Sequence, residues 1–218
     1  MQPNDTKEKL EMKALHFFAL HDYERSSLNE IAETLGVTKG AIYHYFKNKD
    51  ELFHSSVIRL LDVMGDWFIN SLPTDIPLKI ILDNLFNIEA SMKEMAETTG
   101  LGAVVLDYTN TLYLMLSALK KFPDLKVRLE AIYAGFRHAL IRMMQISIER
   151  KEIRADADVE AVAFEITAFY EGALLLAIFS SSKDYITLGP RVCREIWNRM
   201  AIPEQTDRRQ RVIKKEEG

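Results

Sequence analysis

Apolar residues recur three or four positions apart along most of the chain, the spacing that places them on one face of an α-helix. No stretch of useful length alternates apolar and polar residues, so the pattern predicts no β-strand. Glycine, proline and short polar runs divide the chain into about nine helices. The predicted fold class is therefore all-α.

The best-defined pair of helices lies in the first quarter of the chain. The first of the two begins at Ser27, a good N-cap with Glu30 three residues later, and Gly36 can supply the left-handed backbone that ends it. Thr38 is a second capping hydroxyl, and it opens a helix that continues through Tyr43. Two short helices joined by such a tight turn predict a helix-turn-helix.

One helix on each side of this pair completes the N-terminal region. The preceding helix ends near His21 and is expected to pack over the pair, giving a three-helix unit. The following helix is capped by Asn48 and ends at Ser71-Leu72-Pro73. Because it runs from the pair into the rest of the chain, this bridging helix either transmits movement or acts as a passive strut.

The remainder of the chain is predicted to be a helical body. Its five helices are expected at residues 77–97, 101–121, 124–151, 158–180 and 185–200. The predicted division is an N-terminal domain at residues 1–49, a larger domain at residues 50–202 and a tail at residues 203–218. The tail is charged and lacks apolar spacing, so we expect it to be disordered.

The second helix of the pair has a surface suited to DNA. No acidic residue occurs from Thr34 to Asn48. The side chains gathered there or just beyond it that can donate hydrogen bonds are Lys39, Tyr43, His44, Tyr45, Lys47 and Lys49. Such a segment predicts a donor-rich, cationic face that can meet the acceptors of a duplex.

The order of these residues predicts which part of the duplex each would contact. A recognition helix enters the major groove with its N-terminus first, so Thr38 and Lys39 are the best candidates to reach base edges. Gly40 would allow close approach of the backbone. The residues one turn or more beyond would meet phosphate oxygens instead. They are Tyr43, His44 and Lys49.

Residues 38–52, Thr-Lys-Gly-Ala-Ile-Tyr-His-Tyr-Phe-Lys-Asn-Lys-Asp-Glu-Leu, resemble the signature of the tetracycline-repressor (TetR) family of bacterial transcription regulators. The resemblance implies that Ser27, Tyr43 and Lys49 contact backbone phosphates. It also implies that the residues in or beside the groove are Thr38, Lys39, Gly40 and His44. It covers about the first quarter of the 218 residues, and it departs from the family at Asp22, where a glycine is usual.

The overall charge neither supports nor excludes a DNA-binding protein. The net charge is −4, and the first 54 residues contain seven Lys and Arg against nine Asp and Glu. The acidic residues lie in the first helix and at Glu30 and Glu33, away from the predicted groove face. The distribution therefore predicts salt-sensitive binding with few phosphate contacts per subunit rather than non-specific polybasic binding.

Several other kinds of site are disfavoured by the sequence. The single cysteine, Cys193, excludes an internal disulfide and a cysteine-cluster metal site. No glycine-rich phosphate loop, nucleophile elbow or zinc signature occurs, so neither a metal nor a cofactor is expected. The polar start of the chain and the lack of an apolar run near the roughly 20 residues that span a bilayer predict a cytoplasmic protein without a membrane partner.

The last two helices predict a homodimer. The helix at 158–180 is apolar around much of its circumference, more than a chain of this size can cover by itself. The candidate interface residues are Gly172, Leu176, Phe179, Ile196, Trp197 and Met200. An ordinary, fully buried helix is the alternative. The resemblance implies a dimer here, whose twofold symmetry would match a palindromic operator of double-stranded DNA.

Methionine and aromatic residues are frequent in the body, and they can line an apolar pocket or simply fill a core. The resemblance implies a cavity whose small-molecule ligand releases the protein from DNA. The candidate lining residues are Trp67, Phe86, Glu89, Tyr108, Tyr133, Arg137 and Phe169. The expected ligand is a partly apolar small molecule.

Three classes of function compete. An enzyme is disfavoured, because the metal-ligand spacing of Glu51 and His54 has no second Glu-x-x-His to complete a di-iron centre. A helical small-molecule-binding adaptor without sequence-specific DNA binding remains an alternative. The acid-free face favours the third class, a sequence-specific DNA-binding transcriptional regulator, and the resemblance implies that this regulator is a ligand-responsive repressor.

Overall fold

A computed structural model describes residues 3–179 and 184–203, and within them the chain is helical with one isolated bridge between Ile153 and Ala201. The N-terminal helices are α1 (Pro3–Leu20), α2 (Leu28–Leu35), α3 (Lys39–Tyr45) and α4 (Lys49–Asn70). The body contains α5 (Leu78–Phe86), α6 (Ile88–Thr99), α7 (Gly102–Leu106), α8 (Tyr108–Lys121), α9 (Asp124–Glu149), α10 (Val159–Phe179), α11 (Asp184–Thr187) and α12 (Gly189–Met200). The all-α prediction is confirmed, and the predicted tail beyond residue 203 lies outside the described residues.

The described residues form twelve helices rather than about nine, because three predicted helices are each divided in two. Asn87 leaves the helical region and its side chain accepts the N–H of Ala90, which ends α5 and begins α6. Asp107 does the same for Asn110 and separates α7 from α8. The third break lies between α11 and α12, where Pro190 occupies the first turn of the new helix.

The helix-turn-helix is confirmed, together with the capping pattern that predicted it. The Ser27 hydroxyl accepts the Glu30 N–H, and the Glu30 carboxylate accepts the Ser27 N–H, both at 3.2 Å. Gly36 has a φ of 67°, in the left-handed region that a side chain rarely adopts. Thr38 and Asn48 cap α3 and α4 through their side-chain oxygens.

Asp22 opens the turn between α1 and α2 with ordinary backbone geometry. Its carbonyl accepts the Ser26 N–H at 3.1 Å and the Ser26 hydroxyl at 2.7 Å. Its carboxylate accepts the Glu24 N–H at 2.9 Å. Among the described non-glycine residues only Lys151 has a positive φ. An aspartate therefore fits this turn because its side chain caps the backbone and no left-handed conformation is needed.

Two hydrophobic clusters form the core, and α4 belongs to both. The first cluster joins α1 to α4 with α6, α7 and α8, and the second joins α5, α9, α10 and α12. Leu52, Phe53 and Leu60 of α4 are fully buried in the first, while Phe68 lies in the second. The N-terminal helices thus share a core with part of the body.

The helix α10 combines buried and exposed apolar residues. It is 21 residues long and is the one described helix that is apolar and long enough to cross a membrane by length and composition. The expectation that no apolar run approaches this length was therefore wrong. In the fold α10 packs against α8, α9 and α11 with Ile166, Tyr170 and Leu174 buried, while Phe164 and Phe179 remain exposed.

Candidate nucleic-acid interface and cavity

The helix α3 presents an exposed face to solvent. Ile42 is its one buried side chain and fixes the helix against the N-terminal core. The exposed positions that begin the helix are Thr38, Lys39 and Gly40, and those one turn later are Tyr43 and His44. The fold therefore brings five of the seven predicted DNA-binding residues to one surface.

The two capping hydroxyls keep a free hydrogen-bond donor. Both Ser27 and Thr38 accept a backbone N–H, and a hydroxyl that accepts can still donate its own proton. Both residues are exposed. Each can therefore donate to a phosphate or base acceptor without giving up its helix cap.

Lys39 and Gly40 have no structural requirement within the protein. The Lys39 ammonium lies 5.7 Å from the ring centroid of Tyr43, which is 49% exposed. A Cβ added to Gly40 would meet only the Thr38 hydroxyl, at 3.8 Å, which is ordinary van der Waals contact. Any need for a glycine at this position must therefore come from a partner.

Lys49 differs from the other candidates, because its ammonium is held by the protein. It donates to the carbonyl of Tyr23 at 2.7 Å and to that of Ser26 at 2.8 Å. It also lies 4.2 Å from the centroid of the Tyr23 ring. An ammonium has three donors, so one remains for a phosphate. Lys49 thus anchors the start of α4 to the turn that precedes Ser27.

A cluster around Asp50 connects this turn to the body. The Tyr23 hydroxyl donates to one Asp50 oxygen, and the Lys121 ammonium lies 3.2 Å from the other. The hydrogen bond from Tyr23, followed by Lys121, holds the pKa of Asp50 below its ordinary value against the opposing effect of desolvation. Burial, followed by Asp50, raises the pKa of Tyr23. Lys121 is the last residue of α8, so the cluster joins the turn between α1 and α2 to α4 and α8.

A cavity of about 160 Å³ lies in the middle of the body, between α4, α6, α8, α9 and α10. Its wall is mostly apolar and includes four methionines. The lining residues are Met64, Phe68, Met92, Met95, Leu106, Tyr108, Thr111, Leu112, Met115, Leu116, Leu119, Leu129, Tyr133, Tyr170, Glu171 and Leu174. Its polar groups converge from three helices, as in a ligand site.

The predicted pocket residues are divided between this cavity and other positions. Tyr108 and Tyr133 line the cavity, and Glu89 lines an adjoining, more open cavity of about 630 Å³. The candidates that line neither are Trp67, Phe86, Arg137 and Phe169.

Helical phase explains two of these differences. Phe169 stacks on Phe86, with centroids 5.1 Å apart, and the next residue, Tyr170, lines the cavity in its place. Phe68 likewise lines the cavity next to Trp67. One residue along a helix is a rotation of about 100°, and periodicity alone does not define which neighbour faces the space. No pattern in the sequence identified Glu171 as a lining residue.

The tyrosines of the cavity are grouped around Glu171. The Tyr108 hydroxyl donates to the Glu171 carboxylate at 3.2 Å, and Tyr133 and Tyr170 line the same cavity. Burial, followed by the Glu171 charge, raises the pKa of Tyr108, Tyr133 and Tyr170. The Tyr170 hydroxyl is buried without a hydrogen-bond partner among the described residues.

The apolar surface predicted for a partner subunit is present on α10 but not on α12. Leu176 is 45% exposed and Phe179 is 78% exposed, and open space surrounds Gly172. The sequence missed Phe164, at 64%, and Leu175, at 40%, which extend this surface along α10.

Two of the predicted interface residues on α12 require a correction. Ile196 and Met200 are only 1% and 2% exposed, because the apolar face of α12 packs into the second hydrophobic cluster. They are core residues of the protomer and cannot face a partner. Trp197 is half-buried against the same cluster.

Two family models match the chain. The model described as "Bacterial regulatory proteins, tetR family" matches residues 13–55, which contain α2 and α3. The model described as "Tetracyclin repressor-like, C-terminal domain" matches residues 118–191. Together the two segments account for more than half of the chain.

Individual relatives are more similar over a short segment than over most of the chain. Over 49 residues the chain is 43% identical to the "Probable acrEF/envCD operon repressor" of Escherichia coli (strain K12), a match that spans only 22% of either chain. Over 163 residues it is 24% identical to the "Nucleoid occlusion factor SlmA" of Haemophilus ducreyi, covering 72% of this chain and 73% of that one.

The whole fold has solved counterparts. A transcriptional regulator from Cytophaga hutchinsonii superposes with a TM-score of 0.71 at 20% identity, covering 92% of this chain and 96% of its own. A regulator from Haloarcula marismortui gives the same TM-score at 18% identity, covering 91% and 100%. At these identities the likeness concerns the fold alone.

Proposed function

Because this chain belongs to the TetR family of bacterial regulatory proteins, we propose that it is a sequence-specific DNA-binding transcriptional repressor in the cytoplasm. The observation that carries the proposal is the exposed, acid-free face of α3. Thr38, Lys39 and Gly40 lie at the N-terminal end of α3. This is the end of a recognition helix that enters a major groove first. Three relatives that match over 49–57 residues are named as repressors or regulators of transcription.

The position of each side chain supports a particular contact to DNA. Thr38 and Lys39 read base edges, and the bare backbone at Gly40 lets α3 approach the duplex closely. Ser27, Tyr43 and His44 lie further out and bind phosphates. Lys49 contributes mainly by holding the turn before Ser27, and its third donor can reach a phosphate.

The active species is proposed to be a homodimer. The exposed apolar residues of α10 would pack against the same residues of a second copy about a twofold axis. The two copies of α3 would then enter successive major grooves about one turn, or ~34 Å, apart on a palindromic operator. Covering these residues explains why the protomer leaves Phe164 and Phe179 largely exposed.

The cavity is proposed to bind the small molecule that regulates DNA binding. It lies between α4, which continues into the N-terminal core, and α8, whose last residue pairs with Asp50. A ligand that displaces either helix would change the spacing of the two α3 helices. The expected coupling free energy is about 1–3 kcal/mol, which is typical of allosteric proteins.

Fluorescence anisotropy can test this function. The DNA is a set of genomic fragments that the purified protein retains, and unrelated duplex serves as the competitor. Preferred fragments should bind more tightly at every salt concentration, with affinity falling as salt rises. Lys39→Ala should change the preferred base, whereas Tyr43→Phe should weaken all sequences alike. Equal affinity for every duplex would contradict the proposal and favour the helical adaptor.

A further inference from the structure

We propose that the cavity binds an apolar molecule that carries a positive charge, with that charge placed on the Glu171 carboxylate. The proposal rests on the proposed function only in treating this ligand as the regulatory effector. It concerns the chemistry of the cavity itself, which follows from four observations.

The first observation is a carboxylate without an ionic partner in a mostly apolar wall. Glu171 is half-buried in a cavity lined by methionine and leucine side chains, and none of the described cationic side chains lies within 4 Å of it. Burying a carboxylate is costly unless an opposite charge or several hydrogen bonds compensate for the lost water. A ligand cation would supply the missing charge.

The second observation is that a hydrogen-bond donor to Glu171 is already in place. The Tyr108 hydroxyl donates to it at 3.2 Å, and Tyr133 lines the same cavity. Tyr170 is 6% exposed, lines the same cavity and has a hydroxyl without a partner among the described residues. Because buried polar groups are normally paired, this hydroxyl provides a position for a polar group of the ligand.

The third observation concerns sign. None of the described residues that line the cavity is Lys, Arg or His. The adjoining cavity shares Met92, Leu106, Tyr108 and Leu174 with it, and its described lining adds acidic side chains without any basic one. An anionic ligand would therefore meet Glu171 without a counter-charge. The electrostatics select for a cation and against a carboxylate or phosphate.

The fourth observation concerns size and shape. A cavity of about 160 Å³ can hold roughly one aromatic ring, since a comparable engineered cavity binds benzene. Aromatic faces attract cations, and methionine sulfurs pack well against rings. The ligand class is therefore an aryl-alkyl ammonium, with its ring among the methionines and its ammonium between Tyr170 and Glu171.

Isothermal titration of the full-length protein without DNA tests this assignment. The three probes share one benzyl group, which matches the size of the cavity, and differ in the group attached to its methylene: benzylamine, benzyl alcohol and phenylacetate. At neutral pH the ammonium should bind about tenfold or more tightly than the alcohol, and the carboxylate should bind weakest. Equal affinity for the amine and the alcohol would overturn the proposal.

Two variants assign the selectivity to named residues. Glu171→Gln keeps the size of the side chain and one oxygen that can accept from Tyr108, and it should reduce the preference for the amine over the alcohol to within about twofold. Glu160→Gln, on the exposed first turn of the same helix, is the matched control and should leave the preference unchanged. Tyr170→Phe should weaken binding of the amine about threefold or more, because it removes the unpartnered hydroxyl. Unaltered preference in Glu171→Gln, or unaltered affinity in Tyr170→Phe, would contradict the assignment.

Because these titrations contain no DNA, their failure is distinct from failure of the proposed regulatory function. A protein that selects the amine but binds every duplex equally would keep the cavity assignment and lose the function. A protein that reads a specific operator but does not prefer the amine would keep the function and lose the assignment.

Discussion

The ammonium of Lys121 lies 3.2 Å from the carboxylate of Asp50 and joins the last turn of α8 to the first turn of α4. Six residues earlier in α8, the first of them Tyr108 and the last Leu119, line the cavity. Asp50 in turn accepts a hydrogen bond from the Tyr23 hydroxyl, and Lys49 donates to the carbonyls of Tyr23 and Ser26, in the turn that leads to Ser27. The pair therefore links the helix that lines the cavity to the turn before Ser27, in addition to α4 itself.

Replacing Lys121 should uncouple these two regions. In Lys121→Met the ratio of operator affinities with and without a saturating cavity ligand should fall about threefold or more toward unity. The fold should persist, because a partly exposed ion pair contributes less than about 1 kcal/mol. Anisotropy titrations measure the ratio, with the exposed neighbour Lys120→Met as control. An unchanged ratio in both variants would exclude the pair as a route of coupling.

Replacing Lys49 should destabilise the protein as well as weaken DNA binding. Lys49→Met leaves the carbonyls of Tyr23 and Ser26 without their charged donor, which should cost about 1–3 kcal/mol in the free energy of unfolding. Urea denaturation measures this loss. Lys47→Met, at an exposed position nearby, should change stability by less than about 0.5 kcal/mol. Equal stability of the two variants would mean that the Lys49 contacts are unimportant in solution.

Adding a methyl group at Gly40 should separate folding from DNA binding. Gly40→Ala fits the protein, and it should leave the free energy of unfolding unchanged or raise it by up to about 1 kcal/mol. If α3 lies close against the duplex, operator affinity should nevertheless fall about tenfold or more, as anisotropy would show. Full affinity in a stable Gly40→Ala variant would show that the helix does not approach the DNA closely.

Acid should weaken the cluster around Asp50 at the start of α4. The pKa of Asp50 is lower in the folded state than its ordinary value of about 4. Its contribution to the free energy of unfolding is therefore complete above that ordinary value and is lost as the pH falls through the lowered pKa. The difference in unfolding free energy between the native chain and Asp50→Asn should therefore shrink on acidification. Urea titrations at a series of pH values measure it. The exposed Asp66→Asn serves as control, and a difference that grows in acid would contradict the sign.

A charge at the exposed end of α10 should prevent dimer formation. Phe179 is 78% exposed in the protomer, so Phe179→Lys should fold normally and sediment as a single chain at micromolar concentrations. Tyr113→Lys, on α8 and 69% exposed, should leave the native association unchanged. Analytical ultracentrifugation distinguishes the two. A Phe179→Lys protein that remains dimeric would place the interface elsewhere.

Local features were predicted correctly from the sequence because their causes are local. The Ser27–Glu30 capping box and the left-handed Gly36 each depend on a few neighbouring residues. The Asn87 and Asp107 caps are equally local, but each interrupts an apolar run that continues in helical phase on both sides. Periodicity therefore merged the helices that these caps separate.

Features that depend on three-dimensional packing were less predictable. Whether an apolar helix faces a core or a partner depends on its neighbours, so Met200 of α12 and Phe179 of α10 look alike in sequence but are 2% and 78% exposed. The ionic partner of Asp50 lies in α8, far along the chain. Lys49 matched a family motif, and only the fold shows its second role as an anchor.

The first hydrophobic cluster runs without a break from Leu10 in α1 to Leu125 at the start of α9. An engineer who exchanged residues 1–49 for those of another regulator would thus cut through a continuous core. Apolar residues of α7 and α8, such as Val105 and Leu114, would lose the side chains that cover them. Chimeric regulators built on this scaffold should therefore carry α7 and α8 together with the DNA-reading helices, or redesign the seam between them.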